Sequence, residues 1–331
     1  TLALSGSYDI STTRAIVCQA AMRKLGVLAE GQTATSTSIE LVVESLNFMV
    51  KAWAAEGMPV FFLDEGYLYP QEDVNSFSLG SVSTGSHWST ELGITKLTNN
   101  GASATTTVTV SITSAIDVQG TSANSDNIGI EMDDGTIHWT TISSGGGTAT
   151  LVLADTTDDT AGSGNRVYYY TTRAARPVEV EGVWRVNAAS QEQIEVNPAS
   201  LTDMVGQTNL TTEGPPIEYN YQAFLNASPP TLGRFRVWPR FENGDEYLKL
   251  LFQLPYDDID AAANNLSFPQ EWYEAVVYGL AVRIAPEYKV PLQERMVLKE
   301  EAKAMKERAE MSARENASIT FQPDFMWGNR G

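Results

Sequence analysis

The sequence predicts an α+β fold in which helices from both ends of the chain enclose a β region. Apolar residues recur at helical spacing near both termini, and short alternating apolar and polar runs fill the middle. The composition also shifts to Thr, Ser, Gly, Asn and Asp between residues 81 and 172. In finer terms, we expect a helical-bundle core with a β region and an inserted all-β, immunoglobulin-like sandwich.

The 331 residues exceed the usual size of one domain, which agrees with a core enlarged by an insertion. We expect residues 1–80 and 173–318 to form one split core domain. Residues 81–172 form the inserted sandwich, and residues 319–331 form a C-terminal tail.

The N-terminal part of the core reads as a helical hairpin. Residues 11–28 carry apolar side chains at helical spacing, and Gly26 is a natural helix stop. A second helix begins at Ser36 or Thr37, where Glu40 completes a capping box. Its apolar face is formed by Leu41, Val42, Ser45, Leu46, Met49, Val50 and Trp53.

The insertion shows strand signals at intervals of about ten residues. Two alternating runs flank Asp134 and Gly135, a dipeptide typical of a two-strand hairpin. Residues 81–172 hold nine acids and two bases, and therefore contribute −7 to the net charge of −19.

Residues 173–260 return to strands with larger side chains, and the last third is helical. Pro269 opens a helix whose apolar face follows a spacing of four. The residues of this face are Trp272, Val276, Leu280 and Ile284. A long charged helix over 290–317 begins near Pro291.

Charge excludes several functions. With 41 acids against 22 bases, the chain lacks the basic surface that proteins use to grip phosphate backbone or anionic membranes. It has no run of 18 apolar residues and no basic-then-apolar leader, so we expect neither a membrane span nor a signal peptide.

The sequence offers little catalytic chemistry. Cys18 lies in an apolar helical stretch, where a buried hydrophobe is favoured over a reactive thiol. His87 and His138 are isolated, and neither a nucleophile elbow nor a phosphate-binding glycine loop is present. Pairs such as Asp133 and Asp134 fit turns better than calcium loops. We therefore expect no catalytic residue, cofactor or metal.

The C-terminal tail interleaves large apolar side chains with polar residues. These side chains are Phe321, Phe325, Met326 and Trp327. A disordered end and a segment that docks on a partner both fit this pattern.

Four segments in series carry a resemblance to a known family. They are Thr13–Ile16 with Met22–Gly31, Glu44–Trp53 with Glu56 and Gly57, Arg236–Pro239, and Phe268–Ala275 with Gly279–Tyr288. In this order they resemble the head-to-tail adaptors of short-tailed bacteriophages, also called tail accessory or packaged-DNA-stabilisation proteins. The resemblance covers about 1–80 and 173–331, and the insertion departs from the minimal pattern.

The resemblance implies a structural virion protein of the phage neck, assembled in the host cytoplasm. It implies a homo-oligomeric ring, usually of twelve copies, that sits beneath the portal and extends the DNA channel. The ring stabilises packaged DNA without reading its sequence and receives the tail nozzle or tube, with fibres or spikes as further partners.

Two sets of residues receive roles from this resemblance. The tail residues Phe321, Phe325, Met326 and Trp327 become portal anchors. The apolar helix faces become subunit-packing surfaces, through Leu46, Met49, Trp53, Trp272, Val276 and Leu280.

Two alternatives remain open at this point. Some members of the family are credited with cell-wall hydrolysis, so the adaptor could carry peptidoglycan hydrolase activity. Trp88, Trp139 and the run Tyr168–Tyr170 could instead make the insertion a carbohydrate-binding surface.

Overall fold

The computed structural model describes residues 13–29, 31–56, 63–82, 85–99, 105–111, 126–145, 148–223, 232–254 and 268–312. The fold is α+β, as predicted, with 28% of the described residues helical and 32% in strands. Contacts divide the chain into two compact units, Thr1–Phe61 with Tyr256–Gly331 and Phe62–Pro255. We describe each unit by itself.

The helices are α1 (Arg14–Lys24), α2 (Ser36–Ala55), α3 (Leu201–Val205), α4 (Tyr273–Ile284) and α5 (Leu292–Ser312). The strands of the first half are β1 (Leu63–Leu68), β2 (Ser76–Leu79), β3 (Trp88–Ser89), β4 (Gly93–Lys96), β5 (Thr107–Thr109), β6 (Asn127–Glu131), β7 (Ile137–Ser144) and β8 (Thr150–Leu153). The remaining strands are β9 (Arg166–Tyr170), β10 (Val180–Asn187), β11 (Gln193–Glu195), β12 (Asn197–Pro198), β13 (Glu218–Gln222), β14 (Gly233–Trp238) and β15 (Glu246–Gln253).

The first unit contains α1, α2, α4 and α5. Helix α4 contacts all three of the others, because its apolar face follows the predicted spacing of four. The fully buried side chains of that face include Val276, Leu280 and Ile284. A short 3-10 turn, Gln270–Trp272, leads into the helix.

Helix α2 is capped one residue earlier than the sequence predicts. The Thr35 hydroxyl accepts a hydrogen bond from the backbone N–H of Ser38 at 3.3 Å, and the Thr35 carbonyl accepts one from Ile39 at 3.0 Å. A threonine hydroxyl can also satisfy a free N–H at a helix start, so the cap lies at Thr35 and not at Ser36 or Thr37.

The described residues of the second unit form three sheets. Two of them share one apolar core: a five-stranded sheet in the order β11-β10-β15-β1-β3 and a four-stranded sheet in the order β12-β13-β14-β2. The central strand β15 buries Leu248, Leu250 and Phe252 on one face, and on the other face Lys249 and Leu251 are half-buried.

The third sheet has six antiparallel strands in the order β4-β9-β6-β7-β8-β5. Its two end strands also join each other through a bridge between Leu97 and Val110. Two hydrogen bonds of 2.8 Å flank this bridge, from the N–H of Thr98 to the carbonyl of Thr109 and from the N–H of Ser111 to the carbonyl of Lys96. The described strands therefore close into a small barrel, whereas an immunoglobulin-like sandwich has two facing sheets.

The hairpin predicted around Asp134 and Gly135 is confirmed. Strands β6 and β7 pair with Glu131 opposite Ile137. Gly135 has a φ of 91°, and the Asp134 carboxylate accepts a hydrogen bond from the N–H of Thr136 at 2.9 Å. The turn thus uses a left-handed glycine and an Asp side chain.

Trp88 and Ser89, which lie inside the predicted insertion, belong to the five-stranded sheet. Trp88 lies opposite Leu68 in that sheet, is fully buried, and packs edge-on against Phe252 with ring centroids 5.0 Å apart. The first strand of the barrel begins only at Gly93. The barrel is therefore shorter at its N-terminal side than the predicted 81–172 insertion.

An aromatic joint holds the barrel against the other sheets of its unit. We define it as Tyr69, Trp139, Tyr168, Tyr170 and Tyr247. The Tyr69 ring stacks on Tyr170 at 5.4 Å, and the Trp139 indole donates a hydrogen bond to the Pro70 carbonyl at 3.1 Å. The Tyr69 hydroxyl donates to the carbonyl of Glu91 at 2.6 Å. Buried rings with satisfied polar tips make this a firm connection.

Candidate functional site

His87 is part of the packing of the aromatic joint. Its imidazole stacks on Trp139 with ring centroids 3.7 Å apart, and its Nδ1 lies 2.7 Å from the Tyr170 hydroxyl. Burial lowers the pKa of His87 to about 3, and the nearby Arg173 adds to this shift. A histidine held neutral and covered on one ring face has a structural role here.

His138 forms a short contact with a carboxylate. Its Nδ1 lies 2.6 Å from Asp158 Oδ2, and only 8% of the side chain is exposed. The other ring nitrogen, Nε2, is buried and has no hydrogen-bond partner in the described part of the chain. An Asp-His pair alone cannot activate a nucleophile, because the nitrogen that would take the proton contacts no hydroxyl or thiol there.

Cys18 fits the prediction of a buried hydrophobe. It is fully buried in α1, and burial raises the pKa of its thiol to about 12. The thiolate, which is the reactive form, is therefore strongly disfavoured.

The acidic turns serve local structure. Asp133 accepts hydrogen bonds from Asn165 and from the N–H of Gly162, and these bonds lower the pKa of its carboxyl. Across the described ranges, no group of three or more His, Cys, Asp or Glu side chains is arranged to hold a metal ion. The acidic run Asp257–Asp260 lies outside those ranges.

The aromatic side chains that suggested carbohydrate binding are largely covered. Trp88 is fully buried, and Tyr168 and Tyr170 lie in the aromatic joint with at most 1% exposure. Trp139 is half-buried beneath His87. A sugar platform needs an open ring face, and these four rings do not offer one. Tyr169, the remaining ring of the set, is half-buried.

The residues predicted to pack between subunits lie in the core of the helical unit. Leu46, Met49, Trp272, Val276 and Leu280 are buried within one chain. Trp53 is half-buried and meets Trp272 edge-on with ring centroids 6.1 Å apart. These side chains already cover one another within one chain, so they offer little open surface to another copy.

The predicted portal anchors, Phe321, Phe325, Met326 and Trp327, lie outside the described residues.

Sequence reasoning missed the exposed apolar side chains on the outer faces of α2 and α5, and its placement of Leu41 in the packed face of α2 is wrong. Leu41 and Phe48 of α2 are 59% and 56% exposed, and Leu292 and Met296 of α5 are 65% and 62% exposed. The sequence contained one indication of this surface. Helices α2 and α5 carry more apolar residues than their packing against the other helices of the unit requires. Apolar side chains grouped on one exposed face mark an interaction surface more often than scattered ones do.

A second exposed apolar patch lies in the unit of sheets. Val205 and Leu210 are exposed beside a cavity of about 150 Å³ that Met204, Val237 and Trp238 also line. The Trp238 indole donates a hydrogen bond to the carbonyl of Asn209 at 3.0 Å. Among the residues that line this cavity, Arg236 is the one charged residue. Charge therefore does not indicate which kind of partner the patch would bind.

Comparisons with known proteins give no family or function for this chain. No protein-family model matches the chain, and no curated protein sequence matches it significantly. Among the described helices, none combines the length and the hydropathy that crossing a membrane requires.

Proposed function

We propose that this chain is a structural head-to-tail adaptor of a short-tailed bacteriophage. In this proposal, twelve copies form a ring beneath the portal, extend the DNA channel and present a platform for the tail nozzle or tube. The protein is a virion component without catalytic activity, and its core is a helical bundle that carries an inserted all-β domain.

One observation carries the proposal. Three of the four segments that resemble the adaptor family pack on one another as α1, α2 and α4. Two of them, α4 and α2, meet where Gly279 lies against Met49 and Trp53. Motifs that are far apart in the chain but share one packed core are consistent with a common fold.

The negative net charge of the chain supports a channel through which DNA passes without being bound. A ring of chains that each carry −19 repels phosphate, since binding to DNA depends on basic side chains that displace its counterions. Retention of the genome in this proposal depends on a narrow channel and on completion of the tail.

The covered histidines and cysteine favour the non-catalytic form over a peptidoglycan hydrolase. A zymogram separates the two, because a hydrolase clears a peptidoglycan gel and an adaptor does not. Fibres and spikes remain proposed partners, and the exterior of the barrel is their proposed site.

Electron microscopy tests the adaptor function directly. The full-length protein is mixed with the portal protein of the same genome, and averaged images are inspected for a second ring under the portal. We expect such a ring with the symmetry of the portal. Portals that stay bare at saturating protein would contradict the proposal.

A further inference from the structure

We infer that the outer face of α2 binds the outer face of α5 in a second copy of this chain. The inference deepens the proposed ring and rests on it. It concerns two surfaces of the helical unit that the packing of one chain leaves exposed.

The face of α2 is apolar and acidic. Leu41, Glu44, Phe48 and Ala52 follow one another at helical spacing and are all exposed, with Glu40 beside them. Neither glutamate forms an ion pair with a residue in the part of the chain that the structure describes. Lys51, three residues after Phe48, is exposed on the same side. The face thus offers two large apolar side chains together with two carboxylates and one lysine, and its net charge is negative.

The face of α5 is apolar and basic. Leu292, Met296, Lys299 and Lys303 follow the same kind of spacing and are also exposed. Lys303 makes one contact along its own helix, with Glu307 at 3.9 Å. Such an exposed pair contributes little energy, so Lys303 remains available to a partner.

The two faces match when the helices run antiparallel. With Phe48 placed on Met296, Ala52 falls opposite Leu292, because both lie four residues away in opposite chain directions. Glu44 then falls beside Lys299. Glu40, one turn before Glu44, falls beside Lys303. At about 1.5 Å per residue the match extends over roughly 20 Å of helix.

The register also places Glu307 near the N-terminal end of α2, around Thr37. Carboxylates are stabilised by the free N–H groups and the dipole of a helix N-terminus. One alignment of the two helices therefore allows the apolar contacts, the two ion pairs and the interaction of Glu307 with the N-terminus of α2.

The contact joins two different faces, so each copy can bind a neighbour on either side. Heterologous contacts of this kind build rings when the rotation closes. Two helix faces cover less than the roughly 800 Å² per partner of a standard interface, so we expect weak association of the free protein, in the micromolar to millimolar range.

Charge reversal tests the inference. The first variant is Glu40→Lys/Glu44→Lys, and the second is Lys299→Glu/Lys303→Glu. Sedimentation velocity of the full chain at low salt, up to about 1 mM protein, should show wild-type self-association and at least tenfold weaker association of each variant alone. An equimolar mixture of the two variants should associate again, because an acidic face then meets a basic face at every contact.

A matched control is Glu192→Lys/Glu195→Lys, which changes the net charge by the same amount as the first variant at exposed positions on and beside β11. It should associate like the wild type, and all variants should keep the wild-type circular dichroism and melting temperature. A wild type that stays monomeric, variants that associate normally, or a mixture that does not recover would each overturn the inference.

Portal binding separates this inference from the adaptor function. If both variants form complete rings on the portal, the chosen faces are wrong and the adaptor function stands. If the wild type leaves the portal bare, the function itself fails, whatever the sedimentation result.

Discussion

Gly279 lies directly against the indole of Trp53. A methyl group added at Gly279 would approach Cζ2 of Trp53 to 2.9 Å and the sulfur of Met49 to 3.0 Å. The absence of a side chain at this one position lets α4 and α2 come close enough for the two tryptophans of the helical core, Trp53 and Trp272, to meet.

We expect Gly279→Ala to destabilise the chain by about 1–2 kcal/mol, even though alanine favours a helix, because the bulky ring must shift. Urea unfolding measures the loss. The double variant with Trp53→Leu is the control, since a smaller partner should remove most of the penalty. Additive effects of the two substitutions would show that the contact does not limit the packing.

Tyr69→Phe should weaken the aromatic joint. The substitution removes the hydrogen bond from the Tyr69 hydroxyl to the carbonyl of Glu91 and leaves that carbonyl without this donor. We expect a loss of about 1–3 kcal/mol in thermal or chemical unfolding. Tyr169→Phe is the matched control, because the hydroxyl of Tyr169 bonds to no residue in the described ranges; an equal loss there would argue against a specific role for Tyr69.

His87 should make the protein less stable in acid. Its pKa is about 3 in the folded chain and about 6.5 when unfolded, so the unfolded chain binds the proton more readily between these values. Stability therefore falls as the pH is lowered from 6.5 towards 3, by about 1 kcal/mol per pH unit from this residue.

Urea unfolding of the wild type and of His87→Phe at pH 7, 6 and 5 isolates that effect, since all other titrating groups are shared. The variant should lose less stability on acidification than the wild type. Identical slopes would mean that His87 does not titrate with folding.

The C-terminal tail should act in docking and not in folding. Truncation after Asn316 removes all four proposed anchors, Phe321, Phe325, Met326 and Trp327. We expect an unchanged melting temperature and the loss of binding to the portal, measured by co-sedimentation. The substitution Phe325→Ser/Trp327→Ser should give a partial loss, and wild-type docking of the truncated chain would remove the tail from the proposal.

Local patterns were sufficient for the elements that depend on local interactions. The Asp134–Gly135 hairpin follows from turn chemistry, and the buried face of α4 follows from its spacing of four. The N-cap of α2 shows the limit of such patterns. Thr35, Ser36 and Thr37 are all possible caps, and the sequence does not show that Thr35 is the one that binds the N–H of Ser38.

Contacts between distant segments could not be predicted in the same way. The bridge between Leu97 and Val110 and the stacking of Tyr69 on Tyr170 depend on where whole strands come to lie. Burial of the subunit-packing candidates is also a tertiary effect: a helical seam looks the same in sequence whether it faces its own chain or another copy.

Closure of the barrel has a further consequence for aggregation of the protein. An open sheet exposes unpaired N–H and C=O groups on which a foreign strand can be added, and such additions propagate into aggregates. In the described strands of this domain, the edges of β4 and β5 meet instead, through the bridge between Leu97 and Val110 and its two flanking hydrogen bonds. Many copies can therefore crowd together without polymerising strand by strand through the barrel.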